Sequence, residues 1–216
     1  MRGRGVGAGR PRVLRRAAAP VVLASAVSLA LATSLGAATV TIGQLGADAG
    51  CQPGFDFVQL GPTSTFAAPP GNWNVISWST EAGDGTTAAG SLQLEMWRPT
   101  ATPNVFMLVG ISAVVTTTAS GVNTFSLASP IAVQGGDLLG LRNITPGYGC
   151  VRLGVSSGSP GGAFNATAPA PGDLRTLPPL PGPAEFNAQA TLQSPPPPPP
   201  PPPAATVVVV TPRFTG

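Results

Sequence analysis

The sequence predicts an all-β protein: an antiparallel two-sheet sandwich of the jelly-roll type with about nine strands. Short apolar or alternating runs are separated by turns rich in Gly, Pro, Asn and Asp, a pattern typical of antiparallel sheets. Apolar residues at helical spacing are missing from this part of the sequence. The domain, residues 39–192, is long enough to bury one core.

The chain begins with the three-part layout of a secretory signal. Six arginines precede an uncharged run rich in Ala, Val and Leu, Ala17–Leu35, and the small residues Gly36 and Ala38 offer a cleavage site. We therefore expect residues 1–38 to be a signal peptide and the mature protein to be extracellular. The alternative is an uncleaved anchor, because about 20 apolar residues can span a bilayer. Only in that case would the protein contact a membrane.

Removal of the signal changes the charge of the chain. The remaining residues contain five arginines and eight acidic residues, hence a formal charge of −3, and they contain no lysine. Binding to nucleic acid draws its non-specific strength from Lys and Arg on phosphate. We therefore expect no nucleic-acid partner.

The clearest predicted strand is Ser91–Arg98. Its two-residue alternation places Leu92, Leu94 and Met96 on the core face and Glu95 on the outer face. One face of this strand is therefore expected to line the core.

A second alternating strand is Asn74–Thr80, with Ile76 and Trp78 on one face and Val75 on the other. Turn residues surround it at Pro69–Asn72 and recur at Gln134–Asp137. The other predicted strands are Thr39–Gln44, Phe55–Leu60, Val105–Ile111, Asn123–Ala128, Leu138–Arg142, Tyr148–Leu153 and Phe186–Leu192.

The last part of the chain is rich in proline. Residues 160–183 are predicted to be a long surface loop before the final strand. Residues 193–205 form a spacer whose nine prolines, Pro195–Pro203, predict a stiff polyproline II rod about 28 Å long. Residues 206–216 are predicted to be a short β-prone tail, and its run Thr206–Thr211 is too short to cross a membrane.

Two cysteines, Cys51 and Cys150, are predicted to form a disulfide in the exported domain. Closing a loop of about 100 residues stabilises a fold by up to about 4.7 kcal/mol. Two distant cysteines without any histidine do not make a metal site. The turn aspartates Asp48, Asp84 and Asp137 are an alternative set of calcium ligands, but such aspartates usually cap their own backbone. We therefore expect neither metal nor cofactor.

Six segments along the chain form a recognisable set: Ala38–Gln44, Cys51 with Phe55–Gln59, Trp73–Thr80, Leu92–Pro99, Asn123–Phe125 and Val133–Leu141. Together they resemble predicted secreted proteins of high-GC Gram-positive bacteria. The resemblance covers roughly residues 38–192, implies an extracellular location and a β-sandwich, and implies no reaction.

The side-chain inventory excludes several classes of enzyme. Without histidine or lysine the chain cannot build a Ser-His-Asp triad, histidine-ligated zinc or a Schiff base. Only carboxylates remain as acids or bases, and Glu81, Asp84 and Glu95 are the candidates for a carboxylate-only glycosidase. Such acids are more often solvated surface charge, so we expect a non-catalytic protein.

Three aromatic side chains, Trp73, Trp97 and Tyr148, form a candidate ligand platform. An exposed indole can stack on a sugar ring, which would make the domain a carbohydrate-binding module. The alternative is that a loop covers this face and both tryptophans are packing residues. The leading hypothesis is a non-catalytic extracellular domain of structural or adhesive type. Its expected partner is a cell-surface polysaccharide or another extracellular protein.

Overall fold

A computed structural model gives the architecture of the domain. Of the predicted signal peptide only residues 37 and 38 are described, and the predicted tail, residues 206–216, lies outside the described residues. The described residues are 37–46, 49–50, 53–61, 63–82, 89–118, 120–145, 149–153, 158–165, 167–196, 198 and 201–202.

Within these ranges the chain is all-β, as predicted. One helical turn, α1 (Thr63–Phe66), interrupts the strands, and the described part has no helix with the length and apolar composition that crossing a bilayer requires. The strands are β1 (Thr39–Gln44), β2 (Ala49–Gly50), β3 (Phe55–Gly61), β4 (Asn72–Ala82), β5 (Ser91–Pro99), β6 (Val105–Ile111), β7 (Val115–Thr116), β8 (Gly121–Gln134), β9 (Leu138–Asn143), β10 (Gly149–Leu153), β11 (Ser159–Phe164), β12 (Leu174–Thr176), β13 (Ala184–Phe186) and β14 (Ala188–Gln193).

The described strands form antiparallel sheets. A four-stranded sheet has the order β1-β14-β4-β8, and a seven-stranded sheet has the order β11-β3-β9-β5-β6-β12 with β7 paired to β5. A smaller sheet has the order β13-β10-β2. The register of β1 and β14 pairs Thr39 with Gln193, so the first and last strands of the domain lie side by side.

Each of the nine predicted strands has a counterpart in the structure. The predicted ends of Thr39–Gln44 and Val105–Ile111 coincide with those of β1 and β6. The predicted last strand, Phe186–Leu192, is divided between β13 and β14, with Asn187 between them. The alternation of apolar residues therefore located the strands, although not every boundary.

The prediction of one long loop over residues 160–183 was wrong. Most of β11 lies in this range, and β11 pairs with β3 at the edge of the seven-stranded sheet. Proline and glycine in a sequence argue against a strand, but an edge strand tolerates proline. Close packing also requires glycine here, since a Cβ atom on Gly161 would lie 2.6 Å from the carbonyl oxygen of Leu177.

The main core combines side chains from the two larger sheets. Val75 and Trp78 come from the four-stranded sheet, and Leu92, Leu94 and Met96 come from the seven-stranded sheet. All five are almost completely buried, and full burial of a side chain of this size stabilises a fold by about 1.5–3 kcal/mol. The predicted core face of β5 is therefore confirmed.

The pairing of β4 with β8 contains a bulge next to Ile76. Four residues of β8, 127–130, lie opposite this single residue. The bulge changes the alternation of β4, so Val75 and Trp78 both face the main core while Ile76 is half-buried. The prediction that Ile76 and Trp78 share one face, opposite Val75, was therefore wrong.

A second apolar cluster lies on the other face of the seven-stranded sheet. It contains Val58, Trp97, Leu108, Leu138 and Leu177. Leu177 belongs to residues 167–183, which we name the covering segment. This segment is hydrogen-bonded to β6 through β12 and to β11 through the Gly161–Pro179 bridge, so it joins both edges of the sheet. The face of β5 that was predicted to be exposed is therefore interior.

The predicted disulfide is only half described. Cys150 is completely buried in β10, and the described residues include no free cysteine. Cys51 lies outside the described residues, so its bond to Cys150 stays a prediction. The pairing of β2 with β10, in which Gly50 is opposite Gly149, brings the neighbours of both cysteines together and supports it.

Candidate functional site

The acids of the glycosidase hypothesis do not share a described site. Glu81 lies half-buried in β4 and Glu95 lies in β5, on different sheets, while Asp84 lies outside the described residues. Glu95 has no solvent exposure. The prediction that it projects from an outer face was wrong because the apolar cluster and the covering segment lie over that face.

Glu95 is buried beside Asp56 of β3, a residue that the sequence analysis missed. Asp56 is also completely buried and forms an ion pair with Arg142 of β9, its partner in the sheet register. Asn165 donates its amide to Asp56 Oδ2 at 2.6 Å, and Arg175 Nε lies 3.8 Å from the same oxygen. Side chains from β9, from β12 and from the residue after β11 thus surround the carboxyl group of Asp56.

The surroundings of Glu95 raise its pKa well above the ordinary value. The largest cause is burial, followed by the negative charge of Asp56, and the hydrogen bond from Trp97 opposes them in part. Trp97 Nε1 donates to Glu95 Oε2 at 3.0 Å, whereas Oε1 receives no donor from the described residues. When protonated, Glu95 can donate a hydrogen bond to Asp56. Glu95 is therefore favoured in its protonated form beside Asp56.

Neighbouring carboxyl groups, one of which has a raised pKa, are a usual arrangement for acid–base catalysis when a substrate can reach them. Here both groups are closed off from solvent. Arg142 extends the contacts outward by donating from Nη2 to the carbonyl oxygen of Asn165 at 2.8 Å. The arrangement therefore fastens residue 165 and the covering segment to the sheet.

Trp73 is the one predicted platform residue that reaches the described surface. It lies half-buried near the start of β4, and its Nε1 donates to the carbonyl oxygen of Pro69 at 3.0 Å. Trp97 is fully buried, so its assignment as a platform was wrong. Tyr148 lies outside the described residues. A surface ligand site therefore has to be built around Trp73.

Two predicted turns support the indole of Trp73. Gly135 N donates to the carbonyl oxygen of Gly71, and Gly136 N donates to that of Ala68, both at 2.9 Å. A Cβ atom on Gly135 would lie 2.8 Å from Pro70 Cα, so only glycine permits this approach. The turns at residues 69–72 and 134–137 therefore lie side by side.

Asp137 fixes Arg98 beside these turns. Its two carboxylate oxygens accept from Arg98 Nε and Nη2, each at 2.8 Å, and Oδ2 also accepts from Gln134 N at 2.9 Å. This bidentate pair raises the pKa of Arg98, which stays charged. Asp137 thus caps its own turn, and in the described ranges no three His, Cys, Asp or Glu side chains converge as a metal site.

Three adjoining depressions lie along the surface beside the turns at residues 69–72 and 134–137. The one that contains Trp73 has a volume of about 220 Å³ and continues into one of about 480 Å³ through shared walls at Asn72 and Gln134. We name the first the Trp73 groove. Its lining includes Asn72, Trp73, Asn74, Arg98, Gln134 and Pro195.

The third depression, of about 570 Å³, is mainly apolar. It is lined by Val40 and Ile42 of the edge strand β1 and by Pro69, Pro70 and Pro99. It adjoins the middle depression at Pro70. One end of this surface is therefore apolar, whereas the end at Trp73 combines an aromatic ring with amide and guanidinium groups.

Sequence reasoning found Trp73 and the two turns but not the polar groups of the groove. The pairing of Arg98 with Asp137 joins residues that are distant in sequence, and neither the turn signal at Asp137 nor the strand pattern around Arg98 indicates it. Comparison of the chain with protein-family models, curated proteins and solved structures gives no match.

Proposed function

We propose that this chain is a secreted, non-catalytic extracellular domain of adhesive type that binds a cell-surface polysaccharide through the Trp73 groove. The observation that carries the proposal is a half-exposed indole in a concave surface, flanked by a fixed arginine and three amide side chains. Ligand sites commonly combine an aromatic or apolar contact with a few well-placed polar groups.

The chemistry of a sugar ring fits this surface. The C–H face of a pyranose can pack on the indole of Trp73, while its hydroxyl groups exchange hydrogen bonds with Asn72, Asn74 and Gln134. Arg98 is held in place by the buried carboxylate of Asp137 before any ligand arrives. Because its orientation is already fixed, binding costs less conformational entropy than it would for a free side chain.

A non-catalytic role agrees with the positions of the carboxyl groups. Glu95 has the raised pKa that a general acid uses, but both Glu95 and the neighbouring Asp56 are covered by protein. Histidine and lysine are absent from the whole sequence. Binding without turnover is therefore the function that these residues favour.

Several features favour an extracellular position for the domain. We propose that residues 1–38 are cleaved as a signal peptide, that Cys51 and Cys150 form a disulfide, and that the prolines after Ser194 hold the domain away from a surface. Pro195 lines the Trp73 groove, so the spacer leaves the domain beside the site. The shared core of the two larger sheets supports a two-sheet sandwich of the jelly-roll type, the fold implied by the resemblance to secreted bacterial proteins.

A co-sedimentation assay with insoluble cell-wall polysaccharide tests the proposal. We expect the mature chain to be retained and the Trp73→Ala variant to bind at least about tenfold more weakly, as at an aromatic hot spot. Phe164→Ala is the matched control, because Phe164 is an exposed aromatic residue on β11 outside the groove.

Three outcomes would contradict the proposal. Equal retention of the wild type and Trp73→Ala would remove the groove as the site. Retention on extracellular protein but not on purified polysaccharide would replace the ligand class. Release of soluble sugar from the polymer by the purified protein would show turnover.

A further inference from the structure

The edge strand β1 leaves one side of the four-stranded sheet open. Among the described strands, β1 pairs only with β14. Its sequence, Thr39–Gln44, contains neither proline nor a charged residue, the features that natural edge strands use to prevent pairing with another chain. The opposite edge, β8, contains Pro130 and the irregular pairing of residues 127–130, and both features oppose strand addition. β1 is therefore the edge of this sheet that can accept a further strand.

The register of β1 determines which backbone groups point outward. Ser194 N donates to the carbonyl oxygen of Ala38 at 2.8 Å, so Ala38 belongs to a hydrogen-bonded pair of the ladder. Such pairs alternate along antiparallel strands, which directs the N–H and C=O groups of Thr41 away from β14. Thr41 is exposed. A strand added to this edge would therefore meet the N–H and C=O groups of Thr41 directly.

The apolar depression of about 570 Å³ lies along this open edge. Three consecutive residues of β1, Val40, Thr41 and Ile42, line it, and no residue of β14 is part of its described lining. Side chains of consecutive strand residues point to opposite faces, so a depression that all three residues line follows the edge of the strand. The rest of the described lining is uncharged, and residues 67–70 contribute much of it. An extended, uncharged and apolar segment therefore fits beside β1.

The mature chain contains such a segment outside the domain. Residues 206–211 consist of four valines between two threonines and carry no charge. Valine and threonine favour extended strands, and short uncharged runs of high β-propensity readily pair with open sheet edges. Within residues 194–216 this run alone combines an apolar composition with strand propensity.

The proline spacer determines which copy of the edge this run can reach. Pro195 lines the Trp73 groove beyond the end of β14, whereas residues 40–42 lie beside residues 190–192, in the opposite direction. Nine consecutive prolines favour polyproline II, which extends about 28 Å from that point. Residues 204–205 span at most about 7 Å, so they cannot bring residues 206–211 back to β1 of the same copy. The edge within reach belongs to another copy.

We propose that the mature chain associates with further copies of itself by strand addition. Residues 206–211 of one copy add to β1 of the next copy, exchange hydrogen bonds with the backbone of Thr41, and place alternate valine side chains in the apolar depression. Because the donor run and the acceptor edge are different surfaces, the contact is heterologous and can repeat from copy to copy. The depression shares no lining residue with the Trp73 groove, so association can be tested separately from polysaccharide binding.

Sedimentation velocity of the purified mature chain over a range of concentrations tests the proposal. We expect the average mass of the wild type to rise with concentration and two variants to stay monomeric. Val208→Pro interrupts the donor run, and Thr41→Pro removes the outward N–H of the acceptor edge. Phe164→Ala removes an exposed aromatic side chain on β11 and is the matched control, which should associate like the wild type.

A mixture of the two variants tests the pairing of donor with acceptor. Val208→Pro keeps an intact β1, and Thr41→Pro keeps an intact donor run. The mixture should therefore form a one-to-one complex, although neither variant associates alone. If Thr41→Pro fails to fold, Thr41→Lys replaces it, because a charge on an edge strand also opposes pairing.

Amide hydrogen exchange gives a second readout at the acceptor edge. Exchange at the Thr41 N–H should slow at least about tenfold at concentrations where the wild type associates, and it should not depend on concentration in Val208→Pro. Four results would overturn the proposal: a wild type that stays monomeric, undiminished association of Val208→Pro, a mixture of the variants that stays monomeric, or slow Thr41 exchange in the isolated monomer.

Discussion

Trp97 Nε1 donates to Glu95 Oε2 at 3.0 Å, and neither residue has any exposure to solvent. The two residues lie two positions apart on one face of β5, the face that alternation alone assigns to the surface. Gly140 of the neighbouring strand makes room for the indole. The acid is thus enclosed by the fold, and its burial is the largest cause of its raised pKa, while the hydrogen bond from Trp97 opposes that rise in part.

The stability of the domain is expected to fall as pH rises above the ordinary pKa of a glutamate. The pKa of Glu95 is raised in the folded state. The contribution of Glu95 to the free energy of unfolding is therefore fully present below the unfolded pKa of about 4.3, and it is lost as pH rises towards the folded pKa. In this window the loss is up to about 1.4 kcal/mol per pH unit. Urea unfolding measured from pH 4 to pH 8 gives this slope.

Glu95→Gln is expected to reduce that slope. Glutamine keeps a carbonyl for Trp97 and offers an N–H to Asp56, but it has no proton to lose. The variant should therefore gain stability relative to the wild type as pH rises. Glu95→Ala is the contrasting variant, expected to lose about 2–4 kcal/mol at the acid end of the range because it leaves a cavity and an unpaired indole N–H. Because alanine has no proton to lose, this deficit relative to the wild type should shrink as pH rises. An unchanged slope in Glu95→Gln would contradict the assignment.

Asp56→Ala is expected to destabilise the domain by about 3–5 kcal/mol, because it leaves Arg142 buried without its partner. It should also release the covering segment. Trypsin cleavage after Arg175, followed by mass spectrometry, reports that release directly. Asp173→Asn is the control, because Asp173 is partly exposed and its 3.5 Å pair with Arg175 is worth less than about 1 kcal/mol. Equal protease resistance in the two variants would argue against the fastening role of Asp56.

Gly140→Ala is expected to destabilise the fold by about 1–3 kcal/mol or more. A Cβ atom at this position would lie 2.4 Å from the carbonyl oxygen of Phe57 and 2.5 Å from Trp97 Cδ1, and neither neighbour has room to move away. Thermal unfolding followed by tryptophan fluorescence measures the effect. Ala132→Gly on an exposed part of β8 provides a comparison, with an expected loss of about 1 kcal/mol or less. A wild-type melting temperature for Gly140→Ala would contradict this packing.

Protein harvested from outside the cell is expected to contain no free thiol under denaturing conditions. Reduction, or Cys150→Ser, should lower the free energy of unfolding by about 2–5 kcal/mol. Thiol titration before and after reduction measures the free-thiol content, and urea unfolding measures the change in the free energy of unfolding. Two reactive thiols in the native secreted material would rule out the disulfide.

Local patterns predicted the strands because a half-buried strand shows its burial in its alternation, as in β5. They did not predict β11, whose proline and glycines are required by contacts with Leu177 and the β3 strand rather than by strand propensity. The bulge beside Ile76 was also invisible, since it depends on the length of the partner strand. Burial of the outer face of β5 depends on residues more than 70 positions away.

The same distinction holds for the candidate site. The sequence indicated Trp73 as a large aromatic residue beside a turn, and Asp137 as a turn residue. It did not indicate that the fold places Arg98 next to both of them. Trp97 was a wrong choice because residue type cannot show which face a distant segment covers. Asp56 carried no signal in sequence, and only its burial against Arg142 and Glu95 identifies it.

The most direct test of the polysaccharide site is a titration of the ¹⁵N-labelled mature chain with solubilised cell-wall polysaccharide, followed at the three tryptophan Hε1 resonances. We expect a saturable shift of the Trp73 resonance while the buried Trp97 resonance stays in place. An unshifted Trp73 resonance at polysaccharide concentrations that saturate binding would contradict the Trp73 groove as the site.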